Sequence, residues 1–167
     1  MLPCLVDAPA ARIGGSRCSR RLGGSMKLVK YLLDTKGSDI ISITPDASVL
    51  DAIKVMASKK IGSLIVMENN KLCGIITERD YAHKVIVKGR SSEKTLVSDI
   101  MSTGVITTTS DQTVTHCMEL MSTNKIRHLP VVDDGTVVGL ISIRDLVTAI
   151  ISDQQEEIEH LEHYISG

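Results

Sequence analysis

The chain has 167 residues, of which 43% are hydrophobic and 23% charged, as is typical of a soluble globular protein. Its 19 Lys and Arg residues against 20 Asp and Glu residues give a formal charge of −1, which excludes a globally basic nucleic-acid-binding surface. Phe and Trp are absent and only 3 Tyr are present, so bases cannot be held on an aromatic platform. No apolar run reaches the ~18 residues of a membrane helix. We therefore expect neither a nucleic-acid partner nor a membrane partner.

Residues 1–25 differ in composition from the rest of the chain. They contain Arg12, Arg17, Arg20 and Arg21 but only one acid, Asp7. Without apolar periodicity, this segment is expected to be a disordered leader or extension. An Arg-rich, acid-poor leader is also typical of an organelle transit peptide. We expect a cytoplasmic protein, with the mitochondrial matrix as the alternative if residues 1–25 are a transit peptide.

The chain contains an internal repeat. When the sequence is shifted by 65 residues, it aligns with itself without a gap. Identical residues recur along this alignment, from the pair Asp34 and Asp99 to the pair Asp80 and Asp145. We interpret this as a duplication with repeat one at 28–90, repeat two at 93–152 and a C-terminal helical extension at 153–167. A single ~60-residue repeat buries too little surface to be comfortably stable by itself.

Each repeat reads as strand, helix, strand, strand, helix. Pro45 ends the first strand, and either Asp46 or Ser48 caps a helix with apolar residues at helical spacing. The turns "ENNK" and "DDGT" then join two apolar strands in the respective repeats. We expect an α/β (α+β) fold in which two β-α-β-β-α units pack sheet to sheet with pseudo-two-fold symmetry, leaving a cleft suited to a ligand.

The same motif follows the last strand of each repeat. It reads "GIITERD" in the first repeat and "GLISIRD" in the second, with a hydroxyl at the helix start and an acid three residues later. A helix N-terminus favours phosphate, and the acid can accept hydrogen bonds from ribose hydroxyls. The competing interpretation is a capping box, in which the same two side chains only close the helix end.

These motifs, with "IGSLIV", "IRHLPVV" and "VSDIM", resemble a tandem pair of CBS domains. The CBS domain is named after cystathionine β-synthase, and a tandem pair is also called a Bateman module. The whole chain is similar to small stand-alone CBS-pair proteins of bacteria and plant mitochondria. The resemblance implies an adenosine ligand, AMP, ADP or ATP, with NAD(H) or S-adenosylmethionine possible as well, and no catalytic cofactor.

The resemblance also implies ligand-binding positions. Asp80 and Asp145 would hold ribose hydroxyls, and Thr77 and Ser142 would contact ribose or phosphate. The remaining predicted ligand-binding residues, which would line the adenine or bind phosphate, are Thr44, Ile61, Gly62, Ser63, Arg79, Thr109, Ile126, Arg127, His128, Pro130 and Arg144.

The repeats differ where phosphate charge is expected. Arg127 and His128 of repeat two stand where repeat one has Gly62 and Ser63. Because Arg is a forked donor and His titrates near neutral pH, we predict a stronger phosphate site in repeat two. The alternative for His128 is a hydrogen-bonded core histidine, and the alternative for Arg79 and Arg144 is a solvated helix face.

We predict a regulatory protein without catalysis, because no nucleophile and base can be placed together. An interaction scaffold without a small-molecule ligand is the alternative function. His160 and His163 are interpreted as part of a solvated acidic helix face, so no metal site is predicted. An apolar stripe on that helix, formed by Ile151, Ile158, Leu161 and Ile165, can dock on its own domain or pair with a second chain. Because CBS pairs often dimerise, the resemblance implies a homodimer. The regulated partner protein is not identifiable from the sequence.

Overall fold

The computed structural model describes residues 27–37 and 39–167. The predicted leader at 1–25 lies outside the described residues. The predicted order of helix, strand, strand and helix is present in both repeats, whereas the predicted first strand is present as a strand in repeat one only, and two short helices were not predicted. The mixed α/β fold class is confirmed. In chain order they are α1 (Val29–Lys36), β1 (Ser42–Ile43), α2 (Val49–Lys59), β2 (Ser63–Glu68), β3 (Lys71–Thr77), α3 (Glu78–Tyr81) with a π-helical turn (Ala82–Ile86), α4 (Val97–Ile100), α5 (Val114–Asn124), β4 (His128–Asp133), β5 (Thr136–Ser142) and α6 (Ile143–Ser166).

Residues related by the 65-residue shift have the same local structure in the two repeats. Ser48 caps α2 by accepting a hydrogen bond from the Asp51 N–H, and Thr113 caps α5 by accepting one from the His116 N–H. Between the two predicted caps of α2, Asp46 and Ser48, the structure therefore selects Ser48. Both helices also end at a lysine in the left-handed conformation, where the chain turns toward the next strand.

The first sheet has the order β1-β2-β3, with β1 parallel and β3 antiparallel to β2. In the second repeat β4 and β5 form a two-stranded sheet, and the counterpart of β1 is reduced to one parallel bridge between Thr108 and Val131. The Thr108 N–H donates to the Pro130 carbonyl at 3.0 Å. Since Pro130 has no N–H, it cannot donate the next bond of a parallel ladder, which ends the strand there.

The apolar positions predicted from helical spacing are buried. Val49, Ala52 and Met56 of α2 pack in one cluster with Leu64 and Val66 of β2. Their counterparts in the second repeat, shifted by 65 residues, are buried as well. Burying an aliphatic side chain of this kind contributes roughly 1.5–3 kcal/mol, so each layer contributes substantially to stability.

Two compact units are present. Unit 1 includes residues 39–106 and 133–138, and unit 2 includes, among the described residues, 27–37, 107–132 and 139–167. Helix α1 therefore belongs to unit 2, where the Val29 N–H donates to the Gln112 carbonyl at 2.9 Å. Helix α4 belongs to unit 1, where the Val97 N–H donates to the Ala47 carbonyl at 2.9 Å. The two repeats at 28–90 and 93–152 therefore describe the sequence, and their bounds differ from those of the two structural units.

Helices α1 and α4 occupy equivalent places in the two units, but their residues are related by a shift of 68 positions rather than the 65 positions that relate the rest of the two repeats. Leu28 bridges Thr113 in unit 2 in the same way that Leu96 bridges Ser48 in unit 1. The sequence match of Asp34 with Asp99 is therefore not a structural equivalence, because Asp99 lies in the first turn of α4 and accepts from the Leu96 N–H. Helix α1 also continues further than α4, as far as Lys36.

Candidate functional site

The hydroxyl and acid of each motif form a capping box at a helix start. In unit 1, Thr77 Oγ1 accepts from the Asp80 N–H, and Asp80 Oδ2 accepts from the Thr77 N–H at 3.1 Å and from Thr77 Oγ1 at 2.7 Å. In unit 2, Asp145 Oδ2 accepts from the Ser142 N–H at 2.7 Å and from Ser142 Oγ at 2.8 Å. Capping is thus part of the role of both motifs, and it employs only one oxygen of each carboxylate.

The second carboxylate oxygen distinguishes the two motifs. In unit 1, Lys84 Nζ lies 2.7 Å from Asp80 Oδ1, and it also donates to the Ile100 carbonyl at 2.6 Å. Both oxygens of Asp80 therefore have partners. In unit 2 the position of Lys84 is taken by the buried Ala149, and Oδ1 of Asp145 accepts no hydrogen bond from any residue that the structure describes.

A lysine from another element contacts Asp145 instead. Lys36, the last residue of α1, places Nζ 2.7 Å from Asp145 Oδ2 and 3.3 Å from the Leu140 carbonyl. Sequence reasoning missed Lys36, because α1 lies outside the part of the repeat that obeys the 65-residue shift. The two residues are 109 positions apart, and no local pattern links them.

The backbone segments predicted to line the adenine lie next to the motifs. The Gly62 carbonyl accepts from the Glu78 N–H at 3.1 Å, and the Arg127 carbonyl accepts from the Ile143 N–H at 2.9 Å. Ser63, which is buried, faces Thr77 across the β2–β3 pair. The structure thus brings residues 61–63 together with 77–80 in unit 1, and residues 126–128 together with 142–145 in unit 2.

The remaining predicted residues lie in different surroundings. Thr44 and Thr109 are exposed and follow the first extended segment of their repeats, and Thr109 Oγ1 donates to Asp111. Pro130 is buried within β4. Arg79 and Arg144 are the second residues of α3 and α6 and are exposed, which is compatible with ligand binding and with a solvated helix face.

Charges in unit 2 change the protonation of two site residues. Burial lowers the pKa of His128, and the positive charges of Lys36 and Arg127 lower it further against the opposing effect of Asp145. The imidazole is therefore neutral at pH 7. Burial by itself raises the pKa of Asp145, but hydrogen bonds from Lys36 and Ser142 outweigh burial and hold this pKa below its usual value. Asp145 is consequently an anion over the physiological range.

Other groups of chemical interest are separate from this site. Within residues 27–37 and 39–167, no group of three or more His, Cys, Asp or Glu side chains could hold a metal ion. No helix in the same ranges combines the length and the apolarity needed to cross a bilayer. Cys73 and Cys117 are buried, and burial raises the pKa of Cys117.

Comparison with known proteins identifies the repeat. The family model for the CBS domain matches residues 34–86 and again residues 97–152. The chain belongs to the CBS-domain family. The predicted resemblance is thereby confirmed, with two CBS repeats in one chain. CBS-domain proteins are generally regulatory rather than catalytic, and CBS pairs typically bind adenosine-containing ligands.

Relatives with the same CBS pair occur in plants and bacteria. CBS domain-containing protein CBSX3, mitochondrial, from Arabidopsis thaliana is 45% identical over 129 residues, which cover 74% of this chain and 63% of that protein. The chain thus spans less than two thirds of this plant relative. The crystal structure of the CBS domain protein NE2398 is 44% identical, with a TM-score of 0.73 over 76% of this chain and 99% of that one.

A further solved CBS pair carries ligands. The CBS domain pair of protein MJ0100, in complex with 5′-methylthioadenosine and S-adenosyl-L-methionine, is 32% identical to this chain. Its TM-score is 0.62, and the match covers 73% of this chain and 98% of that one. Both bound molecules of that protein contain adenosine.

Proposed function

We propose that this CBS pair is an adenine-nucleotide-binding regulatory protein without catalysis of its own, and that its main site lies in unit 2. The proposed ligand is AMP, ADP or ATP, with NAD(H) and S-adenosylmethionine as the other candidates of the same class. The observation that carries the proposal is the open Oδ1 of Asp145 beside a capped helix start, with Lys36 and Arg127 as nearby cations.

The carboxylate of Asp145 has the properties that a ribose site requires. Its Oδ2 is fixed by Ser142, so the orientation of the group is set before any ligand arrives. Its Oδ1 can then accept a hydrogen bond from the vicinal hydroxyls of a ribose, as acids do in other nucleotide sites. The low pKa of Asp145 keeps the acceptor ionised at neutral pH.

The start of α6 favours the phosphate of the same ligand. This helix has 24 residues, and its N-terminal N–H groups carry a partial positive charge. Arg127 is exposed and makes no ion pair within the described part of the chain, so its guanidinium is available as a forked donor. The adenine would lie against aliphatic side chains such as Ile126, since the chain contains no Phe or Trp.

Unit 1 is proposed to bind the same ligand class more weakly. Lys84 already donates to the second oxygen of Asp80, so a ribose would have to share that oxygen with an ammonium group. Gly62 and Ser63 also supply no charge for phosphate. This supports the predicted asymmetry between the repeats.

Regulation would follow from a shift in population. A ligand changes the conformation of a protein only if it binds one arrangement better than another. For a cellular sensor we expect a Kd of roughly 1–100 μM. The regulated partner protein stays unidentified.

Calorimetry with matched variants tests the proposal. Asp145→Asn keeps an oxygen for the cap but loses the anionic acceptor, and we expect AMP affinity to fall at least about tenfold, or ~1.4 kcal/mol. Asp80→Asn makes the same change in the other capping box, and we expect affinity to change by less than about twofold. Melting curves of both variants check that the fold is retained.

The alternative function is an interaction scaffold, in which both motifs are only caps. It predicts that AMP, ATP, NADH and S-adenosylmethionine leave the melting temperature unchanged, whereas a true ligand raises it by mass action. No shift with any of the four, or equal effects of the two Asn variants, would contradict the proposed site.

We also propose self-association through α6. Its distal part carries an exposed apolar stripe in which Ile158, Leu161 and Ile165 are 48%, 59% and 85% exposed. A second copy that covers this face would remove its apolar side chains from water, and the family resemblance implies a homodimer. For the compartment, the mitochondrial plant relative supports the matrix alternative to the cytoplasm, and both stay predictions.

A further inference from the structure

Lys36 has a donor that its structural partners do not use. Its Nζ donates to Asp145 Oδ2 and to the Leu140 carbonyl. An ammonium group has three N–H donors, and the described residues offer no third acceptor. The side chain is 48% exposed, so this third donor faces solvent beside the open oxygen of Asp145.

Cations accompany the carboxylate of Asp145 in unit 2. The Lys36 ammonium contacts Asp145 at 2.7 Å, and Arg127 adds a positive charge that acts on His128. His128 is neutral at pH 7, because burial and the two cations lower its pKa. A carboxylate alone would repel a phosphate, and the Lys36 ammonium on Asp145 offsets that repulsion.

This lysine is specific to unit 2. With the 68-residue shift that relates α1 and α4, the counterpart of Lys36 is Gly104, which has no side chain. Helix α4 ends at Ile100, before that position is reached. In unit 1 the ammonium on Asp80 is that of Lys84, which comes from the π-helical turn that continues α3.

Stability accounts for only part of the contact. Lys36 is half exposed, which limits what its ion pair contributes to the free energy of unfolding, although Asp145 is only 23% exposed. Its removal would leave Asp145 with both hydrogen bonds from Ser142.

We propose that Lys36 is the residue that makes the unit 2 site select phosphorylated adenine nucleotides over uncharged adenosine derivatives. This inference rests on the proposed function, and it adds that the site distinguishes ligands by their charge. A phosphate oxygen accepts the third N–H of Lys36, while the ribose occupies Oδ1 of Asp145. A neutral ligand binds the same ribose acceptor but leaves the ammonium without a partner.

Two ligands that differ only at the 5′ position provide the test. AMP carries a phosphate there and 5′-methylthioadenosine carries a neutral methylthio group. We expect the wild-type chain to bind AMP at least about tenfold more tightly than 5′-methylthioadenosine by calorimetry. In Lys36→Met, which keeps the side-chain length, AMP affinity should fall at least about tenfold, and 5′-methylthioadenosine affinity should stay within about twofold.

A matched variant removes the same charge from the same helix. Lys30 of α1 is exposed and does not contact Asp145, so Lys30→Met should leave both affinities unchanged. Melting curves establish that each variant folds, and Lys36→Gln provides a second neutral side chain if Lys36→Met does not fold.

Each outcome decides the inference. Equal losses of AMP affinity in Lys36→Met and Lys30→Met would show general charge attraction and overturn it. Equal losses for both ligands in Lys36→Met would show that Lys36 only positions Asp145, and would also overturn it. If the wild-type chain binds neither ligand, this inference fails, and the melting-temperature screen with ATP, NADH and S-adenosylmethionine decides separately whether the proposed function fails as well.

Discussion

The two motif acids show how equivalent residues acquire different chemistry. Asp80 and Asp145 have the same cap and the same spacing from their hydroxyl partners. Asp80 is neutralised from its own helical segment by Lys84, whereas Asp145 is contacted by Lys36 from α1. As a result, Asp145 is the one of these two acids with an oxygen that accepts no hydrogen bond from the residues described. Single side chains therefore decide which of two duplicated motifs is suited to bind a ligand.

His128 provides a prediction at the residue scale. Its pKa is lowered by burial first and then by Lys36 and Arg127, with Asp145 opposing them. Between the unfolded pKa, about 6.5, and the lower folded pKa, the unfolded chain binds more protons, so stability falls as the pH falls. His128→Ser, which introduces the residue of the other repeat, should therefore lose less melting temperature than the wild type between about pH 7.5 and about pH 5.5.

Differential scanning calorimetry measures this difference. Asp145 does not interfere, because its pKa lies below its usual value and it titrates below this pH window. An equal loss of melting temperature in both proteins would show that His128 does not titrate as its surroundings indicate.

At the scale of elements, glycine positions determine how the leading segments approach the sheets. A Cβ added at Gly74 of β3 would lie 2.8 Å from the Ser102 carbonyl oxygen and 2.8 Å from Met101 Sδ. A Cβ added at Gly139 of β5 would lie 2.5 Å from a methyl group of Leu33 in α1. The motif glycines thus allow the close approach of α1 in unit 2 and of the residues after α4 in unit 1.

Alanine substitutions at these glycines test the approach. Gly74→Ala should lower the free energy of unfolding by about 1–3 kcal/mol, because backbone at Ser102 must move and the two hydrogen bonds between Ile75 and Ser102 are strained. Gly139→Ala should cost less, since the Leu33 side chain can rotate. Gly62→Ala, whose Cβ would have only an ordinary contact at 3.6 Å, is the control. Urea denaturation gives the three values, and the reverse order of the two losses would contradict this packing.

At the scale of the whole molecule, α6 extends beyond the part that is tied to its unit. Lys27 forms ion pairs with Asp153 and Glu156. Every residue after Glu156 is exposed, including the apolar Ile158 and Leu161. An isolated helical segment of this length is marginal in water, so the extension is expected to be stabilised by association.

Removal of residues 157–167 tests the proposed homodimer. In sedimentation equilibrium we expect the full chain to be a dimer and the shortened chain a monomer. Leu161→Ser in the full chain should weaken the dimer, whereas Glu159→Ser, which lies outside the stripe, should leave it unchanged. A shortened chain that still dimerises would place the interface elsewhere on the protein.

Local patterns predicted much of the fold. The duplication is visible because the sequence aligns with itself. Interactions within a few residues determine the turns at Asn69–Asn70 and Asp134–Gly135 and the hydroxyl caps, so these features can also be predicted from the sequence. The predicted ligand-binding set stays a prediction, although the structure brings its parts together within each unit.

The sequence by itself determined the repeat, the elements and the positions of both motif acids. Only the tertiary structure decided that α1 belongs to unit 2, that its equivalence with α4 shifts by three residues, and that Lys36 reaches Asp145. The physical reason is distance along the chain: apolar spacing and capping act between near neighbours, whereas an ion pair across 109 positions depends on how separate segments pack.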